Sequence, residues 1–344
     1  MTRHASIIHS SSTDPWFNLA LEEYLVQSVS EASAQGIEKA VLYLWQNDNT
    51  VVIGRNQNAW SECRTGLLEE EGGKLARRST GGGAVFHDLG NLNFSVITPK
   101  ALYDIRRSLG VIVDAVNRAG VDAFLSGRND ILADDRKFSG NAFLVHKDAG
   151  LHHGTLLIRS DYERIARYLN VNRAKLESKG IRSVQSRVVN LSSLMPSVTV
   201  EGMKGLVELA FIDEYKPDTT ERDYDMRSLA SDDFAAIHDK YRSWEWRYGE
   251  TIRFTQVCEH YFEWGSLQMC FAVRNGRIEE SKIYTDALDS DFFAGLADGL
   301  AGIRYTSKDI ADAVRGSSET AALKALSGAD IRKDVCDFVE SLEL

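Results

Sequence analysis

Three short stretches carry residues whose types and spacing can do chemistry. The first runs Arg77-Arg78-Ser79-Thr80-Gly81-Gly82-Gly83-Ala84-Val85-Phe86-His87-Asp88. Glycines let backbone N–H groups close around an anion, and arginine binds phosphate in a bidentate way. The run matches neither GxGxxG nor the GxxxxGK loop of the common phosphate motifs. The glycines alone also suit a turn before an edge strand. The arginines before them and His87-Asp88 after them favour a site. The second stretch is Ser126-Gly127-Arg128-Asn129-Asp130 with Asp135-Arg136-Lys137-Phe138-Ser139-Gly140. Lys137 opens an apolar strand instead of standing on a charged helix face; its alternative reading is a solvated strand end. The third is His152-His153-Gly154-Thr155. Adjacent strand residues face opposite ways, so this pair is not expected to hold one metal ion, and HExxH is absent.

The elements that must position these residues follow from periodicity. Asp14-Pro15 reads as a cap and a first-turn proline, and Phe17, Leu21, Tyr24 and Leu25 recur at helical spacing, predicting a helix from Pro15 to about Glu31. Val41–Trp45, Val51–Ile53, Val85-Phe86 and Leu92–Ile97 read as strands, as do Ile131-Leu132, Phe138–Val145 and Thr155–Ile158. Ile105, Leu109, Ile112, Val113 and Val116 mark a second helix. This mixture predicts an α/β (α+β) domain with a central mixed sheet. From Tyr215 to Tyr248 the chain is charged and poor in apolar residues. Beyond it, Leu267, Met269, Phe271 and Val273 alternate before an Asn275-Gly276 hairpin turn, and helices are expected from Phe292 to Leu300 and from about Ser307 onward. The expected division is a catalytic domain over 1–249 and a small C-terminal α/β domain over 250–344.

The chain has 344 residues, 43% hydrophobic and 26% charged, with a formal net charge of -10. These are globular values, and the negative sign argues against a nucleic-acid partner. No stretch is long and apolar enough for a membrane span or a signal peptide. Cys63, Cys258, Cys270 and Cys336 form no CxxC pair, which suits reduced thiols in the cytoplasm.

The three stretches, in order and spacing, resemble lipoate–protein ligase. So do Asp14-Pro15-Trp16-Phe17-Asn18-Leu19-Ala20 near the start, Val52-Ile53-Gly54-Arg55-Asn56-Gln57-Asn58, and Ser243-Trp244-Glu245-Trp246. The resemblance covers nearly the whole chain. It implies the biotin/lipoate ligase fold and two reactions. Lipoate and ATP, with magnesium, give lipoyl-adenylate and pyrophosphate. The lipoyl group then passes to one lysine of a lipoyl domain on a 2-oxoacid dehydrogenase E2 subunit, or of the glycine-cleavage H protein. It further implies that Arg78, Gly83, Ala84, Val85, Phe86, Lys137 and Asp130 meet the nucleotide, with Lys137 catalytic. Lipoate contacts are implied at Lys137, Arg77, Gly82, Arg128 and Thr155, of which Arg128 and Thr155 match adenylate contacts in the mammalian transferase. Asp130 is the candidate for holding Mg2+. His87, Asp130 and His153 are candidate bases for the second step. Alternatives are a transferase using only preformed lipoyl-adenylate and a non-catalytic lipoate or nucleotide sensor. No cysteine falls near the three stretches, which argues against the thioester route of some octanoyltransferases.

Overall fold

A computed structural model of the chain describes residues 3–127, 129–170, 188–223, 232–249, 254–320, 330–342 and 344. Strands are numbered in chain order. An eight-stranded mixed sheet runs β11 (Thr219–Asp223), β1 (Arg3–His9), β2 (Glu38–Trp45), β6 (Asn91–Pro99), β10 (Ala149–Leu157), β9 (Arg136–His146), β8 (Asp130–Ala133), β7 (Ala123–Ser126). β11, β1 and β2 pair in parallel; every other neighbour is antiparallel. A small second sheet places β3 (Thr50–Ile53) between β4 (Lys74–Arg77) and β5 (Val85–His87).

Both faces of the large sheet are covered, so its central strands read as apolar runs and the period-two alternation decides which layer each side chain joins. Leu42 and Leu44 of β2 pack on one face with Phe94, Val96, Ile112, Val116, Val207 and Phe211, under the Ile105–Arg118 and Val200–Tyr215 helices. Val41, Tyr43 and Trp45 enter the opposite layer with Leu19, Leu21, Val26 and Leu151, under the Pro15–Ala34 and Asp232–Arg242 helices. The Pro15–Ala34 helix starts where the sequence predicts and runs one turn further. Asp14 stands at its N-cap but makes no side-chain capping bond; its carboxylate is 3.0 Å from the Lys74 ammonium instead. Pro15 at the first position lacks an N–H, which lowers the demand for a cap.

The C-terminal strands β12 (Gln256–Phe262), β13 (Gly265–Arg274) and β14 (Arg277–Thr285) form an antiparallel sheet. Asn275 and Gly276 sit at φ 52° and 73°, as a type I′ hairpin turn requires. Helices Ser290–Gly299, Ser307–Gly316 and Ile331–Glu340 close a separate core around Met269, Phe271, Phe293, Leu296, Val314 and Val335. The helical segments expected from Phe292 to Leu300 and from about Ser307 onward are found at these three places. β1, β11 and the Val200–Tyr215 helix are elements the periodicity reading did not single out.

Candidate active site

The glycine run crosses from β4 to β5, passing the end of β3. Arg78 N–H donates to the Ile53 carbonyl at 3.0 Å and Arg55 N–H to the Thr80 carbonyl at 2.9 Å, so the loop lies close against the Ile53-Gly54 turn. Gly82 has φ +91°, and a Cβ there would come within 2.8 Å of the Arg78 guanidinium. Only glycine suits both conditions. Gly83 has open space where a side chain would stand.

The two arginines part company. Arg78 laces the loop from within, donating to the carbonyls of Gly81 at 2.6 Å and Gly83 at 2.8 Å and to Thr80 Oγ1 at 3.1 Å. Arg77 points away. Its guanidinium donates to the carbonyls of Arg55, Gln57, Trp246 and Arg247 at 2.7–2.9 Å, and Trp246 Nε1 returns a bond to the Arg77 carbonyl at 2.8 Å. Burial pushes both guanidinium groups down to about 10, leaving them cationic at neutral pH. The Ser-Trp-Glu-Trp stretch thus forms a short helix, Trp244–Tyr248, pinned to the small sheet by Arg77.

Lys137 lies on β9. Its ammonium folds back past Gly140, where a Cβ would be 3.0 Å from Nζ, and pairs with Asp130 at 2.7 Å. Asp130 is the cross-strand partner of Gly140, and a register shift between Ile131 and Leu132 allows the reach. A cavity of about 130 Å³ joins these parts. It is lined by Arg78, Gly82, Gly83, Ala84 and Val85 from the loop, Lys137 and Gly140 from β9, and His153 and Thr155 from β10. Trp45, Val52, His87, Asn93, Asn129, Asn141 and Leu19 also line it.

Seven expected site residues therefore meet in one cavity: Arg78, Gly82, Gly83, Ala84, Val85, Lys137 and Thr155. Asp130 stands beside it through Lys137. Arg77 does not line it and lines a larger cleft against the C-terminal unit. Phe86 is buried below, against Tyr168 and under the Arg164 guanidinium. Arg128 lies outside the described residues. His152 and His153 turn to opposite faces: His152 Nε2 meets Asn141 Oδ1 at 2.9 Å, while His153 Nδ1 meets Glu22 at 2.8 Å and Nε2 meets Thr80 Oγ1 at 2.8 Å. Burial pushes His87 down to about 3 and makes it too weak a base for the second step. The four cysteines are free and buried, none lines the cavity, and burial pushes Cys63 up to about 12.

Glu22 is the main residue the sequence reading missed. It is fully buried, accepts from Ser95 Oγ at 2.5 Å and faces His153. Ser95 Oγ in turn accepts from Trp45 Nε1 at 3.1 Å. With its carboxylate fixing the proton on His153 Nδ1, Nε2 accepts from Thr80, and Thr80 accepts from Arg78. One buried acid thus steadies both the Trp45 wall and the glycine loop. The available signal was an acid at helical spacing from Leu19 and Val26, on the buried face of its helix.

Magnesium prefers oxygen ligands and is commonly held by substrate phosphates plus one or two carboxylates. Among the described residues no group of three or more His, Cys, Asp or Glu gathers to hold a metal, and one carboxylate, Asp130, stands beside the cavity. That donor set fits the phosphate-held mode.

The chain is similar to known proteins along most of its length. Residues 14–212 match the lipoyl protein ligase A/B catalytic domain family, and residues 251–333 match the bacterial lipoate protein ligase C-terminus family. Lipoate-protein ligase A of Blochmanniella floridana is 39% identical over 309 residues, 88% of this chain and 90% of that protein. Among solved structures, P. falciparum LipL1 in complex with lipoate superposes with a TM-score of 0.82 at 28% identity, covering 97% of this chain and 99% of that one. A lipoate-protein ligase A bound with ATP gives 0.59 at 25% identity over 72% of this chain and 99% of that one. The ligase of a bipartite archaeal lipoylation system from Thermoplasma acidophilum, described with its E2 lipoyl domain, gives 0.60 at 26% identity over 74% and 100%. The chain belongs to the lipoate–protein ligase family.

Proposed function

We propose that both ligase reactions run in the cavity between the glycine loop and β9–β10, with Lys137 at their meeting point. A lipoate carboxylate oxygen attacks the α-phosphorus of ATP, the bond to the β-phosphate oxygen breaks, and pyrophosphate leaves. The Lys137 ammonium steadies the negative charge that grows on the phosphoryl oxygens. The nucleotide lies along Gly83, Ala84 and Val85, with open space at the Gly83 Cβ position, and Arg78 holds that loop in shape. Magnesium, when bound, would sit on phosphate oxygens with Asp130 as the protein carboxylate and neutralise phosphate charge. Thr155 faces the adenylate, and Arg128 is assigned there by resemblance. Arg77 is assigned a bracing role in place of lipoate contact, because its hydrogen-bonding capacity is spent on backbone carbonyls.

In the second step the neutral ε-amine of an acceptor lysine attacks the acyl carbon, AMP leaves, and the nitrogen gives up a proton. His153 has both ring nitrogens engaged and Asp130 is paired with Lys137, so positioning of the amine carries this step. The acceptors are lipoyl domains, of the E2 or H-protein kind. No helix among the described residues is long and apolar enough to cross a membrane.

The observation that carries the proposal is the Lys137–Asp130 pair at 2.7 Å, placed across Gly140 at the mouth of the glycine loop. The test is incubation with ATP, magnesium, lipoate and an isolated lipoyl domain, followed by intact mass. One lipoyl addition on one lysine is expected; an unmodified acceptor refutes the proposal.

The unit from residue 250 onward is proposed to cover the site. Gly82 N–H donates to the Ala287 carbonyl at 3.0 Å, and Arg55 pairs with Asp291 at 2.5 Å. A Cβ on Gly81 would lie 2.3 Å from the Ala287 carbonyl oxygen. Such a cover shields the adenylate from water and must yield to admit a whole protein. A truncation ending near Gly249 should transfer from supplied lipoyl-adenylate yet activate lipoate poorly. A folded truncation that activates normally but cannot transfer makes the unit an acceptor-docking module instead.

A further inference from the structure

The cavity has a direction that strand register defines. Trp45 of β2 pairs with Asn93 of β6, and Asn93 pairs with Thr155 of β10. Thr155 Oγ1 accepts from Gly140 N–H at 3.3 Å, and Gly140 carries the Lys137 ammonium over its face. With strands about 4.8 Å apart, this row runs about 14 Å from the reacting end to Trp45. A medium-chain acid with its carboxylate at Lys137 therefore sends its tail towards Asn93, Trp45 and His87.

That far end is polar in an unusual way. Trp45 Nε1 is satisfied by Ser95, but His87 Nε2 and one end of the Asn93 amide are buried without a hydrogen-bond partner among the described residues. Both residues line the cavity and are at least nine-tenths buried, at 3% and 1% exposure. His87 Nδ1 meets the Asn47 amide nitrogen at 3.1 Å, so Nδ1 accepts and Nε2 carries the proton. The other end of Asn93 is held by Asn91 at 2.9 Å. An all-hydrocarbon tail would bury these two groups with nothing to bond, which is costly. Sulfur is polarisable and a weak acceptor, so a sulfur-bearing tail offsets part of that cost.

We propose that His87 and Asn93 form a polar floor to the acyl subsite that selects a dithiolane-tailed acid over a plain alkyl acid of equal length, an inference resting on the placement of lipoate in this cavity. The test compares pyrophosphate release with lipoate and with octanoate as the acid. In the unmodified enzyme kcat/KM should favour lipoate. In Asn93→Leu the ratio should fall roughly ten-fold, mainly through a lower KM for octanoate. Asn93→Thr, which keeps a polar atom at that point, should hold the ratio near its starting value. On the unmodified chain, an alkyl acid of the same length with one thioether sulfur at the ring position should fall between the two. A folded Asn93→Leu with an unchanged ratio, or a thioether acid no better than octanoate, overturns the inference alone. Pyrophosphate from none of the acids overturns the lipoate reading on which it rests.

Discussion

His152 and His153 are neighbours in β10, and they end in different kinds of protein. His152 turns into the back layer, stacked on Phe143 at 4.9 Å and edge-on to Phe94, and bonded to the Asn141 side chain. His153 turns into the front layer and joins Glu22 to Thr80, and through Thr80 to Arg78 and the glycine loop. Behind the sheet, Phe94, Ile112, Val207 and Phe211 supply bulk and no chemistry. In front, polar groups are buried as a connected set that stops at the cavity. Strand alternation lets one sheet hold a stabilising layer and a reactive layer a few ångströms apart, with one residue step deciding between them.

The largest effects should separate the two layers. Phe94→Ala should cost about 3–5 kcal/mol of stability by leaving a cavity in the back layer, with the folded fraction still able to form adenylate. Lys137→Met should do the reverse, cutting adenylate formation by about 10²–10³ because it removes a cation beside the developing phosphate charge. Urea denaturation and pyrophosphate release, run on both variants, check the contrast. A destabilised Lys137→Met with near-normal catalysis would erase it.

A smaller effect is expected at Glu22, which touches no reacting atom and positions others. Glu22→Gln should lower kcat for activation roughly ten-fold, because the His153–Thr80–Arg78 orientation loses its anchor. Glu22→Asp should recover part of it. Equal losses in both variants, tracked by equal falls in Tm, would mean that the residue is structural only.

The smallest effect tests the layers through protons. Burial holds His87 in front and His152 behind at about 3, against an ordinary value near ~6.5. The unfolded chain therefore binds protons between those values that the folded chain does not. Their contribution is complete above about pH 6.5 and is lost as pH falls towards about 3. Urea midpoints at descending pH should show this slope, and His152→Leu should reduce it. A slope unaltered by that substitution would place the titration elsewhere.

Much of this arrangement is readable from the chain before any coordinates. The apolar runs at Val41–Trp45 and Leu92–Ile97 announce central strands because both faces are covered. The glycine run and Lys137 stand out by residue type and position, whereas Thr155 is singled out only by the resemblance, and all three line one cavity. Glu22 escapes, because an acid in a helix is ordinarily solvated and only the tertiary fold shows which face is buried. Arg77 misleads for a related reason: adjacent arginines look alike, yet one turns into the glycine loop and the other into a nest of carbonyls. Asp14 reads as a cap, but a lysine sixty residues away takes its carboxylate. Long-range pairing of this kind leaves no local pattern.

The central claim is that this cavity activates lipoate itself as well as transferring it. The most direct measurement mixes the enzyme with ATP, magnesium and lipoate in the absence of any acceptor, following pyrophosphate and the mass of the native enzyme together. The account predicts a burst of pyrophosphate close to one per enzyme, a bound lipoyl-adenylate, and discharge of that adenylate when a lipoyl domain is added. No pyrophosphate under these conditions, together with efficient transfer from supplied lipoyl-adenylate, would contradict it and leave the chain a transferase only.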